Sequence, residues 1–266
     1  MRAVGIILAG GNNNRMKELT HKRAVAAMPI AGSYRSIDFA LSNMTNSHIQ
    51  KVAVLTQYNA RSLNEHLNSS KWWNFGRKQG GLYVFTPTIT NDNGYWYRGT
   101  ADAIYQNMDF LKKSHEPYVV IASGDAVYKM DYSKVLQYHI DKKADVTVVC
   151  KEMDPSDDVS RFGTIRMDDD MRITEFEEKP MVTKSNMIST GIYVIRRRLL
   201  IDLIEHAAEE ERFDFVNDVL IRYKNLKKIY GYKIDHYWSN IATVDAYYKT
   251  NMDFLKPEVR NYFFKQ

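Results

Sequence analysis

Up to Cys150 the chain alternates short apolar runs with amphipathic stretches, and few folds accommodate that alternation. Val4–Leu8, Lys51–Leu55, Leu82–Phe85, Tyr118–Ala122 and Val146–Cys150 read as strands. Ile37–Thr45, Arg61–Leu67, Thr100–Leu111 and Tyr132–Lys142 have helical spacing; in the third of these, Ala101, Ile104, Met108 and Leu111 share one face. A strand that is apolar throughout is covered on both faces. When such strands are joined by helices, the arrangement is a set of βαβ units around a mainly parallel sheet. Ligands of these sheets lie beyond the carboxyl ends of the strands. The loops Ala9–Arg15 and Ser123–Lys129 are therefore the places to look.

The second half changes character. Phe162–Pro180 reads as a hairpin with an acidic turn, Ser189–Ile195 and Lys228–Tyr232 as strands, and Arg196–Ala208, Asp214–Tyr223 and Thr243–Leu255 as helices. The expectation is one compact α/β domain with a β-rich extension in its second half. No linker stands out, and Pro180–Asn186 and Asn91–Gly94 are the loops expected to move.

Composition narrows the function classes. At 44% hydrophobic and 26% charged, the 266 residues suit a soluble globular protein with a sizeable core. The net charge of +5 is dispersed and not gathered into tails, which speaks against nucleic acid and leaves room for a small phosphorylated ligand. No apolar run approaches the roughly 18 residues of a membrane span. A single cysteine, Cys150, permits no disulfide framework and points to the reducing cytoplasm. At the end of an apolar run, it reads as a small buried hydrophobe.

Each candidate motif has a plain alternative. Gly10-Gly11 with Arg15 follows the first strand and is neither a Walker loop nor G-x-G-x-x-G; it is a tight turn, or a nest of N–H groups facing anionic oxygens. Asn13 tolerates left-handed backbone and could take a glycine's place. Asp125 directly follows a strand, where a carboxylate either forms a turn or holds Mg²⁺ for phosphoryl chemistry. Trp96-Tyr97 beside Arg98 is a core wedge or a wall for a base. Gly99 or Thr100 caps the next helix, with Asp102 in its first turn. Lys179 in "EEKP" is a solvated turn residue or a phosphate point charge. The seven histidines show no metal-ligand spacing.

The order of these motifs is more specific than any one of them. "LAGG…R", "RSIDFALSN", "TQY", "WYRGTADA", "SGD", "FGTI", "EFEEKP", "STGIYVI" and "YW…AYY" follow one another as in the sugar-nucleotide pyrophosphorylases. Over Met1 to about Leu255 the chain resembles bacterial glucose-1-phosphate adenylyltransferase, the ADP-glucose pyrophosphorylase family. The resemblance implies a Rossmann-like nucleotidyltransferase domain that uses Mg²⁺ to join ATP and glucose 1-phosphate into ADP-glucose and pyrophosphate, for glycogen synthesis. By the same resemblance, Leu8, Ala9, Gly10 and Gly11 embrace the nucleotide and Arg15 reaches its phosphates. Gln57 and Tyr58 lie near the adenine. Trp96 and Tyr97 belong to the ATP pocket, framed by Gly99, Thr100 and Asp102. Asp125 holds metal, Glu178, Lys179 and Ser189 contact the sugar phosphate, and Lys179 holds its phosphate.

The departures from the family pattern fall on the phosphate loop and on charged groups. The family's G-G-x-G-T-R is Gly10-Gly11-Asn12-Asn13-Asn14-Arg15 here, so a glycine and a threonine are missing. Its K-R-A-K-P-A is Lys22-Arg23-Ala24-Val25-Ala26-Ala27, with valine in place of a phosphate-binding lysine. Ala126 stands where histidine is usual. Its W-R-D-V-G-T is Trp238-Ser239-Asn240-Ile241-Ala242-Thr243, so Asn240, a weak metal ligand, replaces the second metal aspartate. This pattern is similar to the regulatory, GlgD-type subunits of the family, which work in hetero-oligomers with a catalytic subunit. It implies ATP, glucose 1-phosphate or sugar-phosphate effectors as ligands, and Mg²⁺ only if the subunit is catalytic. The family's carboxyl-terminal β-helix domain has no counterpart expected within residues 1–266. A competent adenylyltransferase and an effector-binding module are the alternatives.

Overall fold

The computed structural model describes residues 2–11, 14–68, 73, 75, 80–89, 94 and 96–265. In chain order the elements are β1 (Ala3–Ala9), β2 (Pro29–Ile30), β3 (Tyr34–Arg35), α1 (Ser36–Asn46), β4 (Lys51–Thr56), α2 (Arg61–Leu67) and β5 (Gly81–Phe85). Then come α3 (Thr100–Gln106), α4 (Met108–Lys112), β6 (Tyr118–Ser123), β7 (Ala126–Tyr128), α5 (Tyr132–Asp141), β8 (Val146–Glu152), β9 (Gly163–Met167) and β10 (Ile173–Glu178). They are followed by β11 (Met187–Arg196), α6 (Arg197–Glu209), β12 (Ile229–Ile234), β13 (Trp238–Asn240), α7 (Val244–Asp253) and α8 (Pro257–Phe264). The fold class is α/β with a mixed, mainly parallel central sheet.

The chain forms two compact units. The first comprises Met1–Ile6, Pro87–Ala122 and Tyr132–His236; the second, Ile7–Thr86, Ser123–Asp131 and Tyr237–Gln266. In the first unit the strand order is β10–β9–β11–β6–β1, with β8 joining β11 to β12. β11 runs antiparallel to β6, β8 and β9, and β12 runs parallel to β8, so β6, β8, β9 and β12 share one direction. Val119–Ala122 and Val148–Cys150 are wholly buried, as uniformly apolar strands require. Burial pushes the Cys150 thiol up to about 12, the chemistry of a core residue and not of a nucleophile.

The second unit holds the parallel pair β4–β5, the hairpin β2–β3 and the antiparallel pair β13–β7. Its core gathers Met16, Val25, Met28, Ile30, Phe39, Val127, Ile241 and Phe254. α7 is tied down at both ends: Tyr247 donates to the Pro29 carbonyl at 2.8 Å and Ala31 N donates to Asn251 Oδ1 at 3.2 Å.

Several elements differ in detail from their sequence signals. The helix expected over Thr100–Leu111 breaks at Asn107, whose amide donates to the Ala103 carbonyl and to Tyr97 Oη, both at 2.9 Å, and so competes with the helical ladder. Asp214–Tyr223 contains a π-helical turn over Phe215–Ile221. The acidic turn of the Phe162–Pro180 hairpin works as its composition suggests: Asp168 Oδ1 accepts from Asp170 N and Arg172 N, with Met171 at φ 68°. No helix among the described residues is long and apolar enough to cross a membrane. Of the loop Asn91–Gly94 only Gly94 lies within the described residues, and Asn12 and Asn13 lie outside them.

Candidate functional site

In the second unit, β1 delivers Leu8, Ala9, Gly10 and Gly11 to its carboxyl end. Gly10 packs on Gln57: a Cβ there would meet Gln57 Cβ at 3.5 Å. The Gln57–Asn59 loop is bound in turn to the segment before Val25, because Asn59 donates to the Thr20 carbonyl and Ala24 N donates to the Asn59 carbonyl. Gly10, Gln57, Tyr58 and residues 20–24 therefore share one rim. Arg15 is exposed on the turn Asn14–Thr20, and Tyr58 is also exposed.

The turn after β6 closes against the same elements. Gly124 N donates to the Leu8 carbonyl at 2.9 Å, and Ser36 Oγ donates to the Gly124 carbonyl at 2.9 Å. A Cβ on Gly124 would stand 3.1 Å from the Ala26 Cβ and 3.4 Å from the Ala9 Cβ. Asp125 follows, half-buried, its Oδ1 accepting from Ser123 Oγ at 2.5 Å. Its carbonyl accepts from Ile241 N at 2.9 Å, and Ala126 pairs directly with Asn240 across β7–β13. The chain thus brings Asp125, Ala126 and Asn240 together from residues more than a hundred positions apart.

Asn240 Oδ1 accepts from Ala242 N at 3.1 Å, a local Asx turn. The oxygen that could face a cation is held by the backbone. Val25 is only 8% exposed and belongs to the apolar cluster with Val127 and Ile241. It is a packed core side chain at a position where charge would be costly.

The first unit carries the other candidate residues. Thr100 opens α3 and accepts from Phe215 N through Oγ1 at 2.9 Å, while Ala101 N donates to the Phe213 carbonyl at 2.8 Å. Gly99 lies flat against Phe213. Asp102 is buried and fully engaged: Arg98 N and Gln106 donate to Oδ2 at 2.8 and 3.0 Å, and the Arg98 guanidinium stands 3.3 Å from Oδ1. Its oxygens order the entry to α3. Tyr97 is buried, with burial raising its hydroxyl pKa, whereas Trp96 is 62% exposed.

Glu178 and Lys179 end β10. Glu178 is largely buried, and burial raises its pKa against the lowering pull of Lys179, whose Nζ is 3.3 Å from Oε1. Lys179 precedes Pro180 yet holds φ 45°, an uncommon conformation for a side-chain-bearing residue, pinned by its N–H to the Phe162 carbonyl at 3.1 Å. Ser189 is buried on β11, its Oγ 3.2 Å from Tyr193 Oη. Burial raises the Tyr193 pKa, with Glu178 and Asp214 adding to the shift. Glu178, Lys179, Ser189, Tyr193 and Asp214 therefore form one polar constellation. Asp214 and Tyr193 escape a reading of the sequence because one resembles a helix cap and the other an apolar strand residue.

A nucleotidyl transferase family model matches residues 4–257, which covers both sets of residues. The chain belongs to the nucleotidyl transferase family. It is 42% identical to a glucose-1-phosphate adenylyltransferase of Clostridium novyi over 255 residues, 95% of this chain and 66% of the relative. It is 40% identical to one of Thermosipho melanesiensis over 96% of this chain and 62% of the relative, and 42% identical to one of Bacillus anthracis over 97% and 69%. The chain thus spans roughly two thirds, or slightly less, of the length of these relatives.

The chemistry of nucleotidyl transfer generally uses Mg²⁺, and the donor set of this chain can be tested for it. Mg²⁺ is held by hard anionic oxygens, commonly one or two carboxylates together with the substrate phosphates. Here Asp125 is one carboxylate, and one of its oxygens is already bonded to Ser123. Asn240 offers no charge, and its oxygen is bonded to Ala242 N. No group of three or more His, Cys, Asp or Glu side chains suited to a metal occurs among the described residues. The residues do not fit a two-carboxylate magnesium site.

Proposed function

We propose that the chain is the nucleotidyltransferase part of a cytosolic ADP-glucose pyrophosphorylase-family subunit in glycogen synthesis, with weak turnover of its own and a mainly regulatory role beside a catalytic partner subunit. In the family reaction, glucose 1-phosphate attacks the α-phosphorus of ATP and pyrophosphate leaves. Little covalent work falls to the protein, so rate depends on positioning and on charge held ready for the transition state.

Most of the positioning groups are retained, the glycine and threonine of the phosphate loop excepted. Gly10, Gly11 and Arg15 are assigned to the nucleotide phosphates, Gln57 and Tyr58 to the base, and Trp96 and Tyr97 to the ATP pocket framed by Gly99, Thr100 and Asp102. Lys179 is assigned to the sugar phosphate, with Glu178 and Ser189 on the sugar. Two charges are missing. The observation that carries the proposal is Asn240 beside Asp125, neutral and turned into its own backbone, with its neighbour Ile241 in the core cluster that buries Val25.

A competent enzyme is the second reading, favoured by the retention of Asp125, Lys179 and Arg15 and by the names of the relatives. Mixing separates the two. Added to a catalytic family member, this chain is expected to shift to a higher mass by light scattering and to change the partner's saturation by effector. A mixture whose mass and rates are the sum of its parts would overturn the regulatory reading.

A further inference from the structure

We infer that the phosphate-bearing ligand of the second unit binds without a divalent cation, recognised as the free anion. The inference rests on the proposal that these loops hold a nucleotide, and it adds the ionic form in which they take it.

A protein favours a magnesium-bound phosphate over the free anion chiefly by supplying anionic oxygens to the metal. The described loops that converge here are Leu8–Gly11, Asn14–Ala27, Gln57–Asn59, Ser123–Tyr128 and Trp238–Thr243. Their carboxylates are Asp125 and Glu18, and their cations are Arg15, Lys17, Lys22 and Arg23. Asp125 is already partly satisfied by Ser123, and Asn240 by Ala242. The strand position between them is Ala126, whose methyl group has no ligand chemistry. The balance of fixed charge is thus positive, and the carboxylates that would grip a metal are few, with one Asp125 oxygen already bonded to Ser123.

Free ATP carries about two more negative charges than its magnesium complex. A positive rim attracts the more negative form more strongly, and backbone N–H groups at Gly10 and Gly11 serve either form equally. Magnesium would weaken the attraction of the cations and receive little in return from the protein. The neutral Asn240 then suits a site that senses a nucleotide without reacting it.

Titration calorimetry of the chain with ATP, once in excess EDTA and once in millimolar Mg²⁺, reads this directly. The expected result is the same Kd within about threefold, or a tighter one in EDTA. Binding at least tenfold tighter with Mg²⁺ would overturn the inference and leave the nucleotide-binding proposal standing. Absence of ATP binding under both conditions would overturn both. Asn240→Asp, which keeps an oxygen for Ala242 N and adds a second one, is expected to make ATP affinity rise with Mg²⁺; an unchanged response would count against the assignment of Asn240 to this site.

Discussion

The double replacement Val25→Lys with Asn240→Asp is expected to raise turnover of ATP and glucose 1-phosphate by about 10²-fold or more over the unaltered chain. One preorganised electrostatic group aimed at developing charge is worth about 3–4 kcal/mol, or about 10²–10³ in rate. The two positions lie in one unit, and Val25 shares a core cluster with Ile241, the neighbour of Asn240, so their effects should couple and not simply multiply. Asn240→Asp is the easier of the two, since an aspartate can accept from Ala242 N with one oxygen and leave the other for a ligand. Val25→Lys is harder. The side chain enters a packed apolar cluster, where added bulk costs about 1–3 kcal/mol and the ammonium must reach the surface to stay charged. Val25→Lys alone is therefore expected to lower the melting temperature and to gain little rate. A folded double variant no faster than the parent would show that the deficit lies elsewhere.

Gly99→Ala is expected to destabilise the first unit strongly. A Cβ on Gly99 would lie 2.3 Å from the Phe213 carbonyl oxygen and 2.8 Å from its carbon, both backbone atoms. The backbone of Gly99 is extended, so the conflict is one of space and not of dihedral angle. That carbonyl accepts from Ala101 N and Asp102 N, so the helix start cannot retreat without losing hydrogen bonds. Overpacking of this kind costs about 3 kcal/mol, and at this size about 6–12 °C in melting temperature. Because Asp214 adjoins Phe213, glucose 1-phosphate affinity should fall with it. A melting temperature within 1 °C of the parent would contradict the close approach.

How much of this was legible in the sequence depends on where each signal resides. Val119–Ala122 and Val146–Cys150 announce buried strands through their own apolar runs, and the family is legible through the order of its motifs. β7 and β13 are not legible. Each is three residues long, and they exist because Ala126–Tyr128 and Trp238–Asn240 pair across more than a hundred positions. No local period encodes that. α8 is preceded by Lys256 and begins at Pro257, a start signal that a reading ending the last helix near Leu255 passes over. The substitutions at 25, 126 and 240 stand out in the sequence only against the family pattern. Their consequences, the burial of Val25 and the Asx turn of Asn240, belong to packing. Asp214 and Tyr193 join Glu178, Lys179 and Ser189 only once β10, β11 and the turn at Phe213 are brought together.

On the proposed function, the chain keeps a nucleotidyltransferase framework without the charges that drive transfer. The most direct test is steady-state turnover of the purified chain alone, with saturating ATP, glucose 1-phosphate and Mg²⁺, beside one of its 42%-identical relatives. The expected rate is lower by at least about 10²-fold. A rate within a few-fold of the relative would contradict it.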